Sequence, residues 1–404
     1  MPEEKLNIDE RYKLLRITSS RYREAPGPEK SRILDSLVLQ TGLDRKTVIR
    51  RLNGACVRKK RQRQRGRKYG PDVDDALRVI SESYNYVCAE RLQPNLVWFA
   101  DRLEQSGELQ LTPSLNEQLG QISISTVRRI LKRIHQDLPR RRRVSGFSPN
   151  ARSRIPILRI PWDEREPGHF ETDLVHHCGP IASGEYLYSL VMVDVATGWC
   201  ECAALLGRSY RGMSDGFTRC LLRCPISVLE VHTDNGSEFF SSHVLQFWQE
   251  RAKVPQLSRS RPYRKNDNRF VEHRNGALVR AWLGHDRMDT TQQTIALNDF
   301  YDRLWLYFNF FQPVMRLAGK TWDGQRVVRV HDSAQTPFDR LVAAEVLDSS
   351  QLDELRELRN RCNPRQLRKE LLDDVSALFS MPLATEGVSE DIFSTLLNEP
   401  VERG

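Results

Sequence analysis

The sequence lacks the features that mark several classes of protein. No apolar run approaches the roughly 18 residues that span a membrane, and the polar start MPEEKLNIDE does not resemble a signal peptide. The phosphate-loop pattern G-x-x-x-x-G-K-S/T is also missing. We therefore expect a soluble cytoplasmic protein with no membrane partner and no ATP site in this chain.

Metal-binding cysteine patterns are missing as well. The chain has eight cysteines, but no C-x-x-C pair or clustered histidine pair has the spacing of a structural zinc site. Cys200 and Cys202 share one face of a predicted strand, and Cys220 and Cys224 share one face of a predicted helix. Zinc binding is the less favoured alternative, and we interpret these thiols as reduced, small, buried hydrophobes.

Positive charge is abundant and unevenly distributed. Residues 1–160 contain 34 Lys and Arg against 18 Asp and Glu, whereas residues 161–404 contain 28 and 35. A basic front half is expected when that part of a chain grips a polyanion, because each cation that meets a phosphate releases condensed counterions. The charge distribution therefore favours DNA as a partner of the front half.

A helix-turn-helix pattern occupies residues 30–53. Apolar residues recur there at helical spacing, Gly42 breaks the first helix, and Asp44 can cap the second. Two short helices around a glycine turn, the second one basic, are typical of a DNA-binding helix-turn-helix, although an ordinary αα-hairpin gives a similar pattern. The candidate DNA contacts on the second helix are Arg45, Lys46 and Arg50.

The next stretch, RKKRQRQRGRK at 58–68, has eight basic residues in eleven. A block of like charges stays extended until something neutralises it. A solvated linker or a localisation-type signal is the alternative to an arm that follows DNA phosphates. The candidate phosphate contacts in this arm are Arg61, Arg63, Arg65 and Arg67.

A second helical unit is predicted over residues 71–138. Its helices are predicted at Val73–Glu90, Asn95–Ser106, Pro113–Leu119 and Ser125–Leu138. In the last of these Ser125 is the expected N-cap, and an apolar stripe of Val127, Ile130, Leu131 and Ile134 leaves Arg128 and Arg129 for solvent or DNA. We interpret this unit as a second DNA-binding module.

The pattern changes to strands after His169. Three consecutive strands are predicted, followed by alternating helices and strands, with the fourth strand at residues 228–234 and the fifth at 255–260. This order describes an RNase H-like arrangement. Long helices are expected at Asn266–Leu283 and Thr290–Phe310.

The predicted arrangement can bring three carboxylates together. Asp173 lies in the first strand, Asp234 ends the fourth strand and Glu272 lies in a long helix. The two aspartates can meet at one sheet edge, and the helix can bring the glutamate across from them. Carboxylate oxygens are the ligands that Mg²⁺ prefers, and two such ions can assist in-line displacement at phosphorus. The competing interpretation is three surface carboxylates without a common role.

Four stretches surround these carboxylates: HFETDLVHH, LVMVDVATGW, HTDNGSEF and SRPYRKNDNRFVEHRNG. Together they resemble the catalytic core of the retroviral-integrase (rve) superfamily, specifically bacterial insertion-sequence transposases of the DDE class. The 37 residues between Asp234 and Glu272 are typical of that family. The resemblance covers residues 168–310, about a third of the chain.

The resemblance implies that Asp173, Asp234 and Glu272 are the catalytic residues and the metal ligands. Asn235 matches the turn beside the second aspartate. Asn268 matches the polar residue that precedes the glutamate, but Arg269 follows it where the family has a small residue, so the local approach of DNA differs.

Other residues near the predicted site receive supporting roles. We interpret Asp194, in the second strand, as structural or supporting rather than as a metal ligand. Basic residues flanking the site are candidate contacts for DNA phosphates: Arg264, Lys265 and Arg274.

The resemblance implies DNA transposition. One step cleaves the phosphodiester at the element end and frees a 3′-OH, and the next joins that 3′-OH to target DNA. The implied cofactor is Mg²⁺, for which Mn²⁺ can substitute. The implied partners are double-stranded DNA of the element ends and the target, a homo-oligomer assembled on DNA, and a separate ATPase helper if ATP is used. The implied location is the bacterial cytoplasm, in association with the nucleoid.

Two rival functions stay open at this stage. One is a DNA-binding regulator with an inert core, derived from a transposase. The other is an RNase H-like hydrolase of RNA–DNA hybrids or junctions, which does not explain two helical DNA-binding modules.

The sequence thus predicts a multidomain protein with α-helical helix-turn-helix modules at the N-terminus and an α/β RNase H-like catalytic core. After the core we expect a hairpin, then helices at Pro337–Val346 and Ser350–Phe379, and a frayed acidic tail from Leu383. The predicted segments are a helix-turn-helix domain (1–57), a basic linker (58–70), a second helical domain (71–139), a second basic linker (140–160), the catalytic core (161–315) and the C-terminal region (316–404).

Overall fold

The computed structural model describes residues 6–54, 56, 68–134, 160–161, 164–234, 237–240, 242–260, 268–323 and 326–397. The chain divides into two compact units, Met1–Lys68 and Tyr69–Gly404. Within the described ranges, no helix is both long enough and apolar enough to cross a membrane.

The first unit is helical and has a small core of its own. Its described helices are α1 (Ile8–Glu24), α2 (Gly27–Thr41) and α3 (Arg45–Leu52). Gly42 ends α2 at φ 64°, a conformation that favours glycine, and the Asp44 side chain caps α3 by accepting from Thr47 N. The two predicted helices and the turn between them are confirmed.

Helix α1 was not expected from the sequence. It begins with a capping box, in which the Asn7 side chain accepts from Glu10 N while the Glu10 carboxylate accepts from Asn7 N. Leu15 is fully buried in the core that α1 shares with α2 and α3. The capping residues can be recognised in the sequence, but α1 has too few apolar residues at helical spacing for the periodicity to indicate a helix.

The second unit starts with more helices. They are α4 (Pro71–Ser83), α5 (Ala89–Leu92), α6 (Leu96–Gln105), α7 (Pro113–Gln121) and α8 (Ile124–Ile134), with a 3₁₀ turn at Gln93–Asn95. The single helix predicted at Val73–Glu90 was wrong, because Asn85 and Tyr86 adopt positive φ and break it. The expected cap Ser125 was also wrong, since Ser123 Oγ accepts from Thr126 N before α8.

These helices are not a separate module. Their apolar residues belong to the same core cluster as the sheet, and the hydroxyl of Tyr307 donates to Ser83 O at 2.8 Å. Asn95 donates to Ala334 O at 3.0 Å. The expectation of an independent second domain over 71–139 is therefore corrected, because this segment is built into the second unit.

A five-stranded mixed sheet lies at the centre of the second unit. Its strands are β1 (His169–His176), β2 (Leu187–Asp194), β3 (Cys200–Leu206), β4 (Glu230–Thr233) and β5 (Gln256–Arg259). The order is β3-β2-β1-β4-β5; β1, β2 and β3 pair antiparallel, whereas β4 runs parallel to β1 and β5 parallel to β4. This is the RNase H-like arrangement that the sequence predicted.

Helices around the sheet complete the core. They are α9 (Tyr210–Arg223), α10 (Ser242–Gln246), α11 (Arg269–Arg274), α12 (Ala281–Leu283) and α13 (Thr291–Phe311), with a 3₁₀ turn at Ser237–Phe240 and π-helical turns at Phe247–Arg251 and Asn275–Arg280. Asn309 of α13 both accepts from Cys200 N and donates to Cys200 O. Asn298 bonds Ala204 in the same way, so two amide side chains satisfy the edge of β3.

The C-terminal region begins with the expected hairpin, β6 (Leu317–Asp323) and β7 (Arg326–His331). Three helices follow: α14 (Pro337–Ala343), α15 (Ser349–Arg361) and α16 (Pro364–Ser380). The single helix predicted at Ser350–Phe379 was wrong, because Pro364 starts a new helix that its neighbour Asn363 caps.

The acidic tail is also not frayed over its described residues. Glu390 accepts from Thr291 N at 2.7 Å, Leu397 N donates to Asp215 at 2.7 Å, and Arg219 donates to Thr395 O at 2.9 Å. Hydrogen bonds therefore hold the described part of the tail, up to residue 397, against α9 and α13. The prediction of a frayed tail was wrong for these residues.

Candidate active site

Strand pairing brings the two aspartates together. Strands β1 and β4 run parallel with Thr172 opposite Thr233, and each threonine is followed directly by an aspartate, Asp173 on β1 and Asp234 at the end of β4. Both aspartates are half-buried. The two aspartates therefore lie at the same edge of the sheet, on the neighbouring strands β1 and β4, as the sequence predicted from strand order alone.

Glu272 reaches this edge on α11. The residue is exposed, and it lies one turn before Asn275, whose side-chain amide donates to Asp173 Oδ2 at 2.6 Å. That hydrogen bond ties the helix of the glutamate to the strand of the first aspartate. The other oxygen of Asp173 accepts from Leu174 N at 2.8 Å.

The electrostatics show that the three carboxylates influence one another. Burial first, and then the charge of Asp234, raise the pKa of Asp173 from 3.8 to about 7, and Glu272 adds to the rise. The hydrogen bonds from Leu174 N and Asn275 oppose it. Two like charges beside one half-buried carboxyl group make a site that a cation would stabilise.

The oxygen-only donor set suits Mg²⁺ or Mn²⁺, which bind carboxylates and keep several waters. Among the described residues, no group of three His, Cys, Asp or Glu side chains is already arranged to enclose an ion. Asp234 and Glu272 are therefore near enough to raise the pKa of Asp173, but the three carboxylates do not enclose an ion. Their chemistry fits a divalent ion that would draw them together.

The supporting residues expected from the sequence have different positions. Asn268 is buried beside the start of α11, where its Oδ1 accepts from Ser260 Oγ at 3.0 Å. Asp194 is fully buried, and its carboxylate accepts from Gly168 N at 2.8 Å and from Thr197 N at 2.7 Å. Asp194 thus holds the start of β1 against the turn after β2. Asn235 lies outside the described residues.

Arg274 does not lie where a phosphate contact requires it. Its guanidinium lies over the ring of Phe308 at 5.3 Å and against Gly198, and burial lowers its pKa. The arginine therefore packs α11 onto the core, which does not support the expected contact with DNA. Arg264 and Lys265 lie outside the described residues.

The basic residues of the helical regions differ in their environment. Arg45 forms an ion pair with Asp35 and bonds Ser31, whereas Lys46 and Arg50 are exposed on α3.

On α8, Arg128 forms an ion pair with Glu90, and Arg129 bonds the hydroxyl of Thr126 at 3.0 Å. Part of the basic surface of α8 is therefore paired within the protein. The remaining candidates lie outside the described residues: Arg61, Arg63, Arg65 and Arg67.

Two residues of the site were not identified from the sequence. Asn275 follows Glu272 by three positions, and Glu171 precedes Asp173 by two, so each shares a face with a catalytic candidate. Glu171 is buried and accepts from Phe270 N at 2.7 Å and from Val271 N at 3.0 Å. The i+3 helix spacing and the i−2 strand spacing were the signals that could have found them.

The chain is similar to several known proteins. The model of the integrase core domain matches residues 163–265. The uncharacterized protein y4rM of Sinorhizobium fredii is 33% identical over 338 residues, which cover 83% of this chain and 96% of that protein. The crystal structure of the catalytic core domain of BIV integrase aligns with 44% of this chain and 95% of that chain at 15% identity, with a TM-score of 0.29. The chain belongs to the same family as y4rM and carries the integrase core of the rve superfamily of transposases and integrases.

Proposed function

We propose that this protein is a DNA transposase that cleaves the ends of a mobile element and joins the freed 3′-OH ends to target DNA. The observation that carries the proposal is the convergence of Asp173, Asp234 and Glu272 at one sheet edge, where the other two carboxylates help to raise the pKa of Asp173 to about 7. Such a cluster of like charges is costly to a fold and typical of a functional site.

The chain's own residues would prepare the site in distinct ways. Asp173 and Asp234 would hold divalent ions at the ends of adjacent strands, and Glu272 would complete the donor set from the helix. When bound, the ions neutralise charge on the scissile phosphate and assist the attacking and leaving oxygens. Asn275 would keep the Asp173 carboxylate oriented through its 2.6 Å hydrogen bond.

DNA would be held by the helical part of the chain. The second helix of the helix-turn-helix exposes Lys46 and Arg50, which suits contact with base edges or phosphates. Residues 58–68 add a dense positive charge that suits phosphates of any sequence. Because two element ends must be joined, we also propose a homo-oligomer on DNA, with any ATP supplied by a separate helper protein.

Strand transfer in vitro tests the function. Purified protein is incubated with Mg²⁺, labelled DNA of the element's own end and a supercoiled plasmid. Asp234→Asn is the inactive variant, and Glu201→Gln is the control, because Glu201 is buried on β3 in a separate cluster. We expect joined product from the native protein and from Glu201→Gln, and none from Asp234→Asn.

Two other outcomes would support a different function for the chain. End binding without cleavage, in Mg²⁺ and in Mn²⁺, would support an inert regulator. Faster cleavage of an RNA–DNA hybrid than of element ends would support an RNase H-like hydrolase.

A further inference from the structure

The helix that carries Glu272 begins without a cap from its own segment. Asn268 occupies the N-cap position of α11 but makes no side-chain hydrogen bond to the first turn. Its Oδ1 instead accepts from Ser260 Oγ. The first amide groups of a helix have no partner within the helix and need an acceptor from elsewhere.

Glu171 of β1 supplies that acceptor. A single carboxylate oxygen, Oε2, accepts from Phe270 N at 2.7 Å and from Val271 N at 3.0 Å. Glu171 is 1% exposed and Val271 is 0% exposed, so no water can replace the carboxylate without a rearrangement. Hydrogen bonds from backbone amides to an ionised carboxylate are among the stronger ones in proteins.

The position of Glu171 links two of the three catalytic candidates. Residues two apart on a strand point to the same face, so Glu171 and Asp173 both face α11. Val271, which Glu171 holds, is the residue directly before Glu272. The same strand therefore carries the first aspartate and anchors the start of the helix that carries the glutamate.

We propose that Glu171 is a positioning residue that fixes Glu272 relative to Asp173 by capping α11 from the neighbouring strand. The inference rests on the proposed function, since it concerns the geometry of the same carboxylates. Asn275 holds the helix after Glu272 through Asp173, and Glu171 holds it before Glu272. Loss of the Glu171 contact would let the start of α11 move and would displace the Glu272 carboxylate.

Two substitutions of Glu171 separate positioning from general stability. Glu171→Ala removes the acceptor, whereas Glu171→Gln keeps one oxygen that can accept from the same amides. Glu201→Gln is the matched control, because Glu201 is a fully buried glutamate of the same sheet that also accepts from N–H donors, in its case three. All variants are made in the full-length chain.

The first readout is Mn²⁺ affinity, measured by calorimetry without DNA, together with the Mg²⁺ concentration that gives half-maximal strand cleavage. We expect Glu171→Ala to weaken both by about 10- to 100-fold, the usual effect of losing a residue that orients a ligand. Glu171→Gln should recover most of the loss, and Glu201→Gln should change neither. Metal dependence within twofold of native in Glu171→Ala would overturn the proposal.

The second readout is amide hydrogen exchange over residues 268–275, which requires neither metal nor activity. Glu171→Ala should exchange faster in this segment alone, while Glu171→Gln stays near native. Should Glu171→Ala fail to fold, faster exchange and weaker Mn²⁺ binding in Glu171→Gln than in Glu201→Gln would still support the proposal, and equality of the two would refute it. A native protein that binds no Mn²⁺ would refute the proposed function, and hydrogen exchange alone would then decide the role of Glu171.

Discussion

Asp173 and Glu201, two carboxyl groups of the same sheet, both have a pKa raised to about 7, but the charges beside them have opposite signs. At Asp173, burial and the like charges of Asp234 and Glu272 raise the pKa. At Glu201 on β3, burial raises it against the opposing effects of Arg223 and of two tryptophan N–H groups. A raised pKa therefore does not identify an active site by itself, and the sign of the surrounding charges is what distinguishes these two groups.

The structural surroundings reinforce this difference. Glu201 is fully buried, with Trp199 Nε1 at 2.9 Å, Trp305 Nε1 at 2.7 Å and Arg223 Nε at 3.2 Å. Its hydrogen bonds are made within the protein, as in a structural cluster. Asp173 is only half-buried and has no cation among the causes of its shift. Glu201 therefore has a cation and N–H donors around its carboxylate, whereas Asp173 has two carboxylates nearby, the surroundings that our proposal assigns to a cation site.

The largest expected effect separates the two carboxyl groups by activity. Asp173→Asn should reduce strand cleavage by at least about a thousandfold, since the site would lose a charge that stabilises the reacting ions. Glu201→Gln should stay within about threefold of native, because that group does not face the reaction. Single-turnover cleavage of labelled DNA measures both, and comparable losses in the two variants would remove the distinction.

The next effect concerns stability at the paired cluster. Arg223→Met should destabilise the protein by about 3 kcal/mol, because it leaves Glu201 buried without its cation. The double variant with Glu201→Gln should recover a substantial part of that loss, since no unpaired charge is left. Urea unfolding of the single and double variants measures the coupling, and strictly additive losses would mean that the two residues do not act as a pair.

Without metal, replacing Asp173 should stabilise the protein, whereas replacing Arg223 should destabilise it. The pKa of Asp173 is raised above its ordinary value of 3.8 to about 7. Its contribution to stability is therefore fully present below about pH 4 and is lost as pH rises through 7. Asp173→Asn should stabilise the metal-free protein by roughly 1–3 kcal/mol at pH 8 and should have little effect near pH 4. Unfolding in EDTA at both pH values gives the comparison, and equal effects at the two pH values would contradict the shifted pKa.

The smallest expected effect concerns two basic helices. Lys46 and Arg50 are exposed on α3, whereas Arg128 of α8 is paired with Glu90. Replacing Lys46 and Arg50 by Ala should weaken DNA binding several-fold and reduce its salt slope by about one for each lost phosphate contact. Arg128→Ala should change binding by less than about twofold. Fluorescence anisotropy at two salt concentrations tests this, and a larger effect from Arg128 would restore α8 to the DNA interface.

The sequence predicted well where the two aspartates meet, because the determinants of that position are local. The strand order places Asp173 beside Asp234, and the spacing to Glu272 follows from the next helix. The pair of helices α2 and α3 was equally predictable, since Gly42 and Asp44 mark the turn between them. These features depend on residue types at fixed short spacings.

The features that sequence reasoning missed depend on tertiary contacts. The spacing of Glu171 from Asp173 puts both residues on one face of β1, but Phe270 is 99 positions away from Glu171. No local pattern therefore shows that Glu171 caps α11. Arg274 looked like a phosphate contact, yet it packs over Phe308. The tail was expected to fray because it is acidic, but its bonds to α9 and α13 involve partners far away in sequence. Only the folded chain shows where these side chains lie.

Proton release on Mn²⁺ binding tests the central claim, that the raised pKa of Asp173 marks a site for a cation. Calorimetric titrations at pH 7 are run in two buffers with different ionisation enthalpies. With a pKa near 7, we predict that metal binding releases about half a proton per protein, that Asp173→Asn abolishes the release, and that Glu201→Gln preserves it. Metal binding with no buffer dependence, or with proton release unchanged in Asp173→Asn, would contradict the account.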